Sequence, residues 1–173
     1  MILELKIFPD PVLQGKCGKV TEFSNTLTTF VEHLKETLYT LPGLALAAPQ
    51  VGFHQRIIAL NMMKIEGKQK ILVLINPSII KTSGRVEMEE GCLSVPEVFE
   101  DIVRPERIEV IGMDINKEEV SFQADGLLAR VLQHEIDHLD GILFWDHLPE
   151  KKRNKLKNNY LKSCSAKAAP ISE

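Results

Sequence analysis

The chain has 173 residues, of which 44% are apolar and 26% charged, with a formal net charge of −3. These values suit one globular domain with a buried core and exclude fibrous and wholly disordered classes. The slight acidic excess offers no electrostatic footprint for specific DNA binding, and no apolar run is long enough to span a bilayer, so neither DNA nor a membrane is an expected partner.

In chain order, the first predicted element is a helix over 24–41. Ser24 or Asn25 can cap it, Leu27, Phe30, Val31, Leu34, Leu38 and Leu41 recur at helical spacing, and Pro42-Gly43 stops it. From 56 to 124 the pattern shortens to β-type runs at Ile57–Leu60, Ile71–Ile75, Val86–Met88, Ile108–Ile111 and Val120–Phe122. Asn76-Pro77, Ser83-Gly84 and Asn116-Lys117 read as the turns between them. Asp125 can cap a second helix that ends near Gly141, and a third helix covers Pro149 to Cys164. Strands gathered centrally, with helices on either side, predict an α+β fold rather than alternating βαβ units. One domain over 1–165 is expected, followed by a flexible C-terminal tail over 166–173.

The chemistry concentrates in Gln133-His134-Glu135-Ile136-Asp137-His138, inside the second helix. Residues four apart on a helix share a face, so both imidazoles can reach one ion, and Glu135 can lie beside a water on that ion. A catalytic site usually adds a third protein ligand and keeps one position open. A zincin-type peptidase would place that ligand downstream. Gly141 fits that pattern, but the ligand position holds Phe144; His147 lies too far on, and neither Glu150 nor Glu173 sits on a convincing second helix. The better candidate is upstream, in Glu90-Gly91-Cys92-Leu93-Ser94, where Cys92 follows a predicted strand at a glycine-marked bend. Cys17 and Cys164 read as unpartnered small thiols. Sulfur and imidazole suit both zinc and ferrous iron.

Taken together, Gly43-Leu-Ala-Leu-Ala-Ala-Pro-Gln50, Glu90-Gly-Cys-Leu-Ser94 and Gln133-His-Glu-Ile-Asp-His138 resemble the three signature motifs of peptide deformylases, in order and separation. The likeness extends to Pro9-Asp10-Pro11-Val12-Leu13, Asn76-Pro77, Arg104-Pro105 and Gly126-Leu127-Leu128-Ala129-Arg130. One position departs: the second glycine of the first motif is Ala45 here.

The resemblance implies mostly antiparallel sheets packed around the helix that carries the two histidines, with a helix near each terminus. It implies a hydrolase that removes formyl groups from N-formylmethionyl peptides and nascent chains, releasing formate. Cys92, His134 and His138 would hold one divalent metal, natively Fe2+, with Zn2+, Ni2+ or Co2+ able to substitute. Hydroxide generated at the metal would attack the formyl carbon with Glu135 as general base and acid, while Gln50 and the backbone N–H of Leu93 receive the developing charge.

By motif position the methionine pocket would be walled by Leu44, Met88, Leu127, Arg130, Val131 and His134, with Phe99 at the rim and the Arg130 charge facing water. The peptide would pair with the strands at 43–46, including Gly43 and Ala45, and at 88–90, including Met88 and Glu90. Asp137 would pair with Arg104, and Glu90 would orient the Cys92 loop. Two alternatives stand beside this reading: a deformylase-like binder weakened by Ala45, and the zincin-type peptidase.

Lys151, Lys152, Arg153, Lys155 and Lys157 cluster on the third predicted helix. They read as a solvated face, with a ribosome contact as the sharper reading. An odd cysteine count and the lack of a secretory-signal pattern point to a bacterial cytoplasm, with a mitochondrial or plastid origin left open.

Overall fold

In the computed structural model, which describes residues 1–168, the first long element is helix α1, Asn25–Thr40, capped by the Ser24 side chain on the Leu27 N–H. Strands β1 (Ala45–Ala47) and β2 (Ile57–Asn61) follow, then the short helix α2 (Met62–Glu66) and strand β3 (Ile71–Ser83). After them come β4 (Val86–Cys92), β5 (Val95–Arg104), β6 (Arg107–Met113) and β7 (Glu119–Asp125). Helix α3, Gly126–Leu139, and helix α4, Glu150–Ala168, are the last elements among the described residues, with a 3-10 turn at Phe144–His147 between them. The order β1-β2-β3-β6-β7 makes a five-stranded sheet, while β4 and β5 form a separate two-stranded ribbon. Every strand pairing is antiparallel, as the α+β reading requires.

Period-two alternation gives the five-stranded sheet two apolar faces. Ala45, Ala47, Ile58, Leu60 and Val110 face α3, packing on Ala129, Leu132 and Ile136. Leu46, Ile57, Ala59 and Ile75 face the other way, onto Leu27, Val31, Leu34 and Leu38 of α1. A third cluster joins Val95 and Ile102 of the ribbon to Phe8, Leu13, Phe144, Trp145 and Tyr160. Helix α3 is therefore central: the sheet lies on one side and the ribbon on another. It stops at Gly141, whose φ of +73° and close approach to the Gln14 carbonyl leave no room for a side chain.

Three sequence expectations need correction. Asn76-Pro77 is not a turn but a bulge inside β3, where the register shifts between Ile75 and Ser78. The proline lacks an N–H for the ladder, and the Asn76 side chain instead ties the bulge to the backbone of Val20. Asp125 occupies the cap position of α3, but its side chain makes no capping bond. Helix α4 continues past Cys164 to Ala168, into the segment expected as tail, because nothing before Pro170 breaks it. Residues 169–173 of that expected tail lie outside the described residues.

Candidate active site

Helix α3 presents His134 and His138 one turn apart, with ring centroids 4.9 Å from each other. Strand β4 ends on Cys92, whose Sγ lies 3.3 Å from His138 Nε2. One donor atom from each of Cys92, His134 and His138 falls within 4.8 Å of the others. A thiolate and two imidazoles so gathered suit a single divalent ion bound through sulfur and nitrogen. Beside them Glu135 is buried, and its Oε2 has no hydrogen-bond partner among the described residues. An orphan carboxylate oxygen at the mouth of a donor triad has the chemistry of a group waiting for water or substrate. Burial pushes this carboxyl up to about 7, against the opposing charge of His134. The residues present therefore fit a bound metal.

Charge states around the triad follow from its partners. Burial holds His138 well below the usual imidazole range, which favours the neutral, ligating form. Burial also acts to lower His134, but hydrogen bonds to Cys92 and Glu90 outweigh it and hold the ring well above that range. Glu90 Oε2 lies 3.0 Å from His134 Nδ1. Without an ion the ring is thus favoured in its protonated form; once its Nε2 proton is displaced, a carboxylate there would keep the remaining proton on Nδ1 and leave Nε2 to the triad. Burial alone would raise the Glu90 pKa, yet hydrogen bonds from His134 and Arg104 keep the carboxyl well below the carboxylate norm.

Arg104 donates through Nε and Nη2 to both Glu90 oxygens, at 2.6 and 3.0 Å, and through Nη1 to Asp137 at 2.6 Å. The expected Arg104–Asp137 pair is thus part of a longer buried chain. His147 Nε2 contacts Asp137 Oδ2 at 2.6 Å, so this histidine belongs to the salt-bridge network and not to the donor triad. Arg130 overturns one expectation. Its guanidinium does not face water: the residue is 5% exposed and donates to Glu90, to the Ile102 carbonyl and to the Val86 carbonyl. A buried acid within reach gave the guanidinium a better partner than solvent.

A cavity of about 560 Å³ opens over the triad. Gly43, Leu44, Ala45 and Gln50 form one lip, Glu89 to Leu93 the other, and Leu127, Arg130, Val131, His134 and Glu135 the floor. The first lip is β1, an edge of the five-stranded sheet, and the second is β4, an edge of the ribbon. The lips meet where a Cβ on Gly43 would fall 2.6 Å from Leu93 Cδ1. Gln50 is 2% exposed; its Oε1 accepts from the Ala47 N–H, while Nε2 points to Cys92 Sγ at 3.7 Å and Ser94 Oγ at 3.2 Å.

Leu127 is partly exposed on the floor rather than sunk in the core. Phe99, 62% exposed, covers Gly91 across the ribbon and lines the outer rim. Met88 is the exception among the expected wall residues. The lining begins at Glu89, and Met88 sits half-buried opposite Ile102, two positions back along β4 from Glu90. Ser94, quoted from the sequence only as the end of the Cys92 motif and given no role, holds the Gln50 amide; Pro96 and Glu97, not singled out from the sequence, line the rim. Their only sequence signal was adjacency to the Cys92 motif.

Comparison with known proteins gives a consistent result. The family model described as polypeptide deformylase matches residues 2–154. A peptide deformylase of Thermodesulfovibrio yellowstonii is 43% identical over 92% of this chain and 96% of its own length. One of Hydrogenovibrio crunogenus is 40% identical over 96% and 97%. Among solved structures, a peptide deformylase from Legionella pneumophila superposes with a TM-score of 0.87 at 34% identity, covering 97% of this chain and 98% of that one. One from Synechococcus elongatus, in complex with actinonin, superposes with a TM-score of 0.83 at 38% identity, covering 91% and 86%.

Proposed function

The chain belongs to the polypeptide deformylase family, and from that premise we propose that Cys92, His134 and His138 hold its divalent ion and that Glu135 moves the protons. It is a metal-dependent hydrolase that removes the formyl group from N-formylmethionyl polypeptides and releases formate. Support for the residue roles comes above all from one observation: three donor atoms converge beside a buried carboxylate whose Oε2 has no partner among the described residues.

When bound, the ion supplies a Lewis acid and a water acidic enough to ionise near neutral pH. Glu135 accepts a proton as water adds to the formyl carbon and returns it to the departing amine nitrogen. Charge that builds on the formyl oxygen is received by the Gln50 amide, already aimed toward Cys92, and by the Leu93 backbone N–H. The methionine side chain takes the apolar floor of Leu44, Leu127, Val131 and the His134 ring, with the Glu90–Arg130 pair beneath. The peptide main chain adds to the free edges at Gly43–Ala45 and Glu89–Gly91, which reads backbone rather than sequence.

The family resemblance points to ferrous iron as the native ion, and a thiolate with two imidazoles would also accept zinc, nickel or cobalt. The test is anaerobic purification, metal analysis and a formate-release assay on formyl-Met-Ala. One metal per chain is expected in the parent and nearly none in Cys92→Ala. The iron form should lose activity in air through thiolate oxidation while a nickel form survives. A metal-free parent with full turnover would overturn the assignment, and equal decay of both forms would remove the case for iron.

Ala45 is buried in the cluster it shares with Val131 and Ala129, so its methyl is part of the packing beneath the groove. Ala45→Gly is therefore expected to lower stability by about 0.5–1 kcal/mol and to bring no large gain in kcat/KM. A tenfold gain would show that the methyl obstructs the peptide.

No helix among the described residues is long and apolar enough to cross a membrane. Of the basic cluster on α4, Lys152 pairs with Glu100 and Lys157 with Asp146. A ribosome contact would fall to the exposed Lys151 and Lys155.

A further inference from the structure

We infer that Arg130 is a positioning residue that fixes the width of the groove and thereby its selectivity for the methionine side chain. The β4–β5 ribbon shares no strand pairing with the five-stranded sheet, so the two lips of the groove belong to different sheets. The Gln50–Ser94 bond joins the lips at one end; elsewhere their separation is set by the ties between the ribbon and α3, Glu90–His134 among them. Arg130, on α3, spans the ribbon from beneath. Nη1 donates to Glu90 Oε1 at 2.7 Å and to the Ile102 carbonyl of β5 at 2.8 Å, and Nη2 donates to the Val86 carbonyl of β4 at 2.9 Å.

One planar fork thus holds both strands of the ribbon and the acid that orients His134. The same residue lines the cavity between Leu127 and Val131, so ribbon position and pocket shape are fixed by one side chain. Arg104 ties the ribbon to α3 as well, but through Asp137, which lies about two turns further along the same helix and outside the cavity lining. The inference rests on reading this cavity as the peptide groove.

Arg130→Met keeps length and apolar bulk but removes every donor. In a metal-loaded preparation it is expected to lower the kcat/KM preference for formyl-Met-Ala over formyl-Phe-Ala at least fivefold, mainly through KM. Amide hydrogen exchange should rise across 86–104 and stay near parental in β2 and β3. A preference within twofold of parental, or exchange that rises equally in both sheets, would overturn the inference, since a general loss of stability produces that pattern. If Arg130→Met does not fold, Arg130→Lys serves instead. It keeps a cation beside Glu90 but loses the planar fork, and the same pattern is expected at smaller amplitude; parental behaviour would overturn the inference. Metal content and parental turnover of formyl-Met-Ala are measured alongside. A parent that fails to release formate refutes the functional reading, whereas an unaltered preference with an active parent refutes only the role of Arg130.

Discussion

Replacing Glu135 by Gln is expected to lower formate release by about a thousandfold while leaving metal content and melting temperature near parental. The two side chains have the same shape, and Glu135 is not one of the three converging donors, so the ion site should be undisturbed. What is lost is a group able to take a proton and give it back. Burial already pushes the carboxyl up to about 7, close to where both halves of that exchange proceed readily. Its Oε2 makes no hydrogen bond among the described residues, so the substitution breaks none at that atom. A Glu135→Gln enzyme with parental turnover would remove the proposed proton carrier.

Glu90→Ala should produce the largest structural effect. It strips a shared acceptor from two buried guanidiniums, Arg104 and Arg130, and from His134 Nδ1. Breaking a buried ion pair from one side typically costs about 3–5 kcal/mol, because the surviving charge stays buried without its partner. For a chain of this size that corresponds to a fall of roughly 10 °C in Tm. Metal affinity should drop by about ten- to a hundredfold as His134 loses the carboxylate that fixes its ring. Glu90→Gln retains one acceptor and should fall between the two. A Glu90→Ala protein with parental Tm and parental metal content would show that the network contributes neither stability nor ligand orientation.

Much of this was legible in the sequence where local chemistry and local geometry coincide. The helical spacing of His134 and His138 needs no tertiary information, and neither does the stripe from Leu27 to Leu38 that became the buried face of α1. Reading failed where partners come from far along the chain. Strand β5 was missed because Pro96 and its acidic residues break the apolar alternation; Val95 and Ile102 share their cluster with residues far off in the sequence, Phe8 and Leu13 before them and Leu143, Phe144, Trp145 and Tyr160 after. Strand β1, Ala45–Ala47, is too short and too rich in alanine to announce itself by pattern, and only the resemblance placed a strand near it, at 43–46. Arg130 was assigned to water because a lone arginine beside an apolar pocket usually extends outward, and nothing in its neighbourhood of the sequence reveals Glu90. Asn76-Pro77 carries a strong turn signal, yet the long strand around it absorbs the kink as a bulge.

Two unpaired strand edges facing each other across a slot are also a standing invitation to misassembly. Any extended segment, including one from a neighbouring copy, could zip into the same hydrogen-bonding positions that a nascent chain would use. The chain guards against this with economy of length and with charge. The β1 edge spans only Ala45–Ala47, and β4 carries Glu87 and Glu89 outward, so self-pairing would bring carboxylates together. Short length on one side and carboxylates on the other both disfavour such capture.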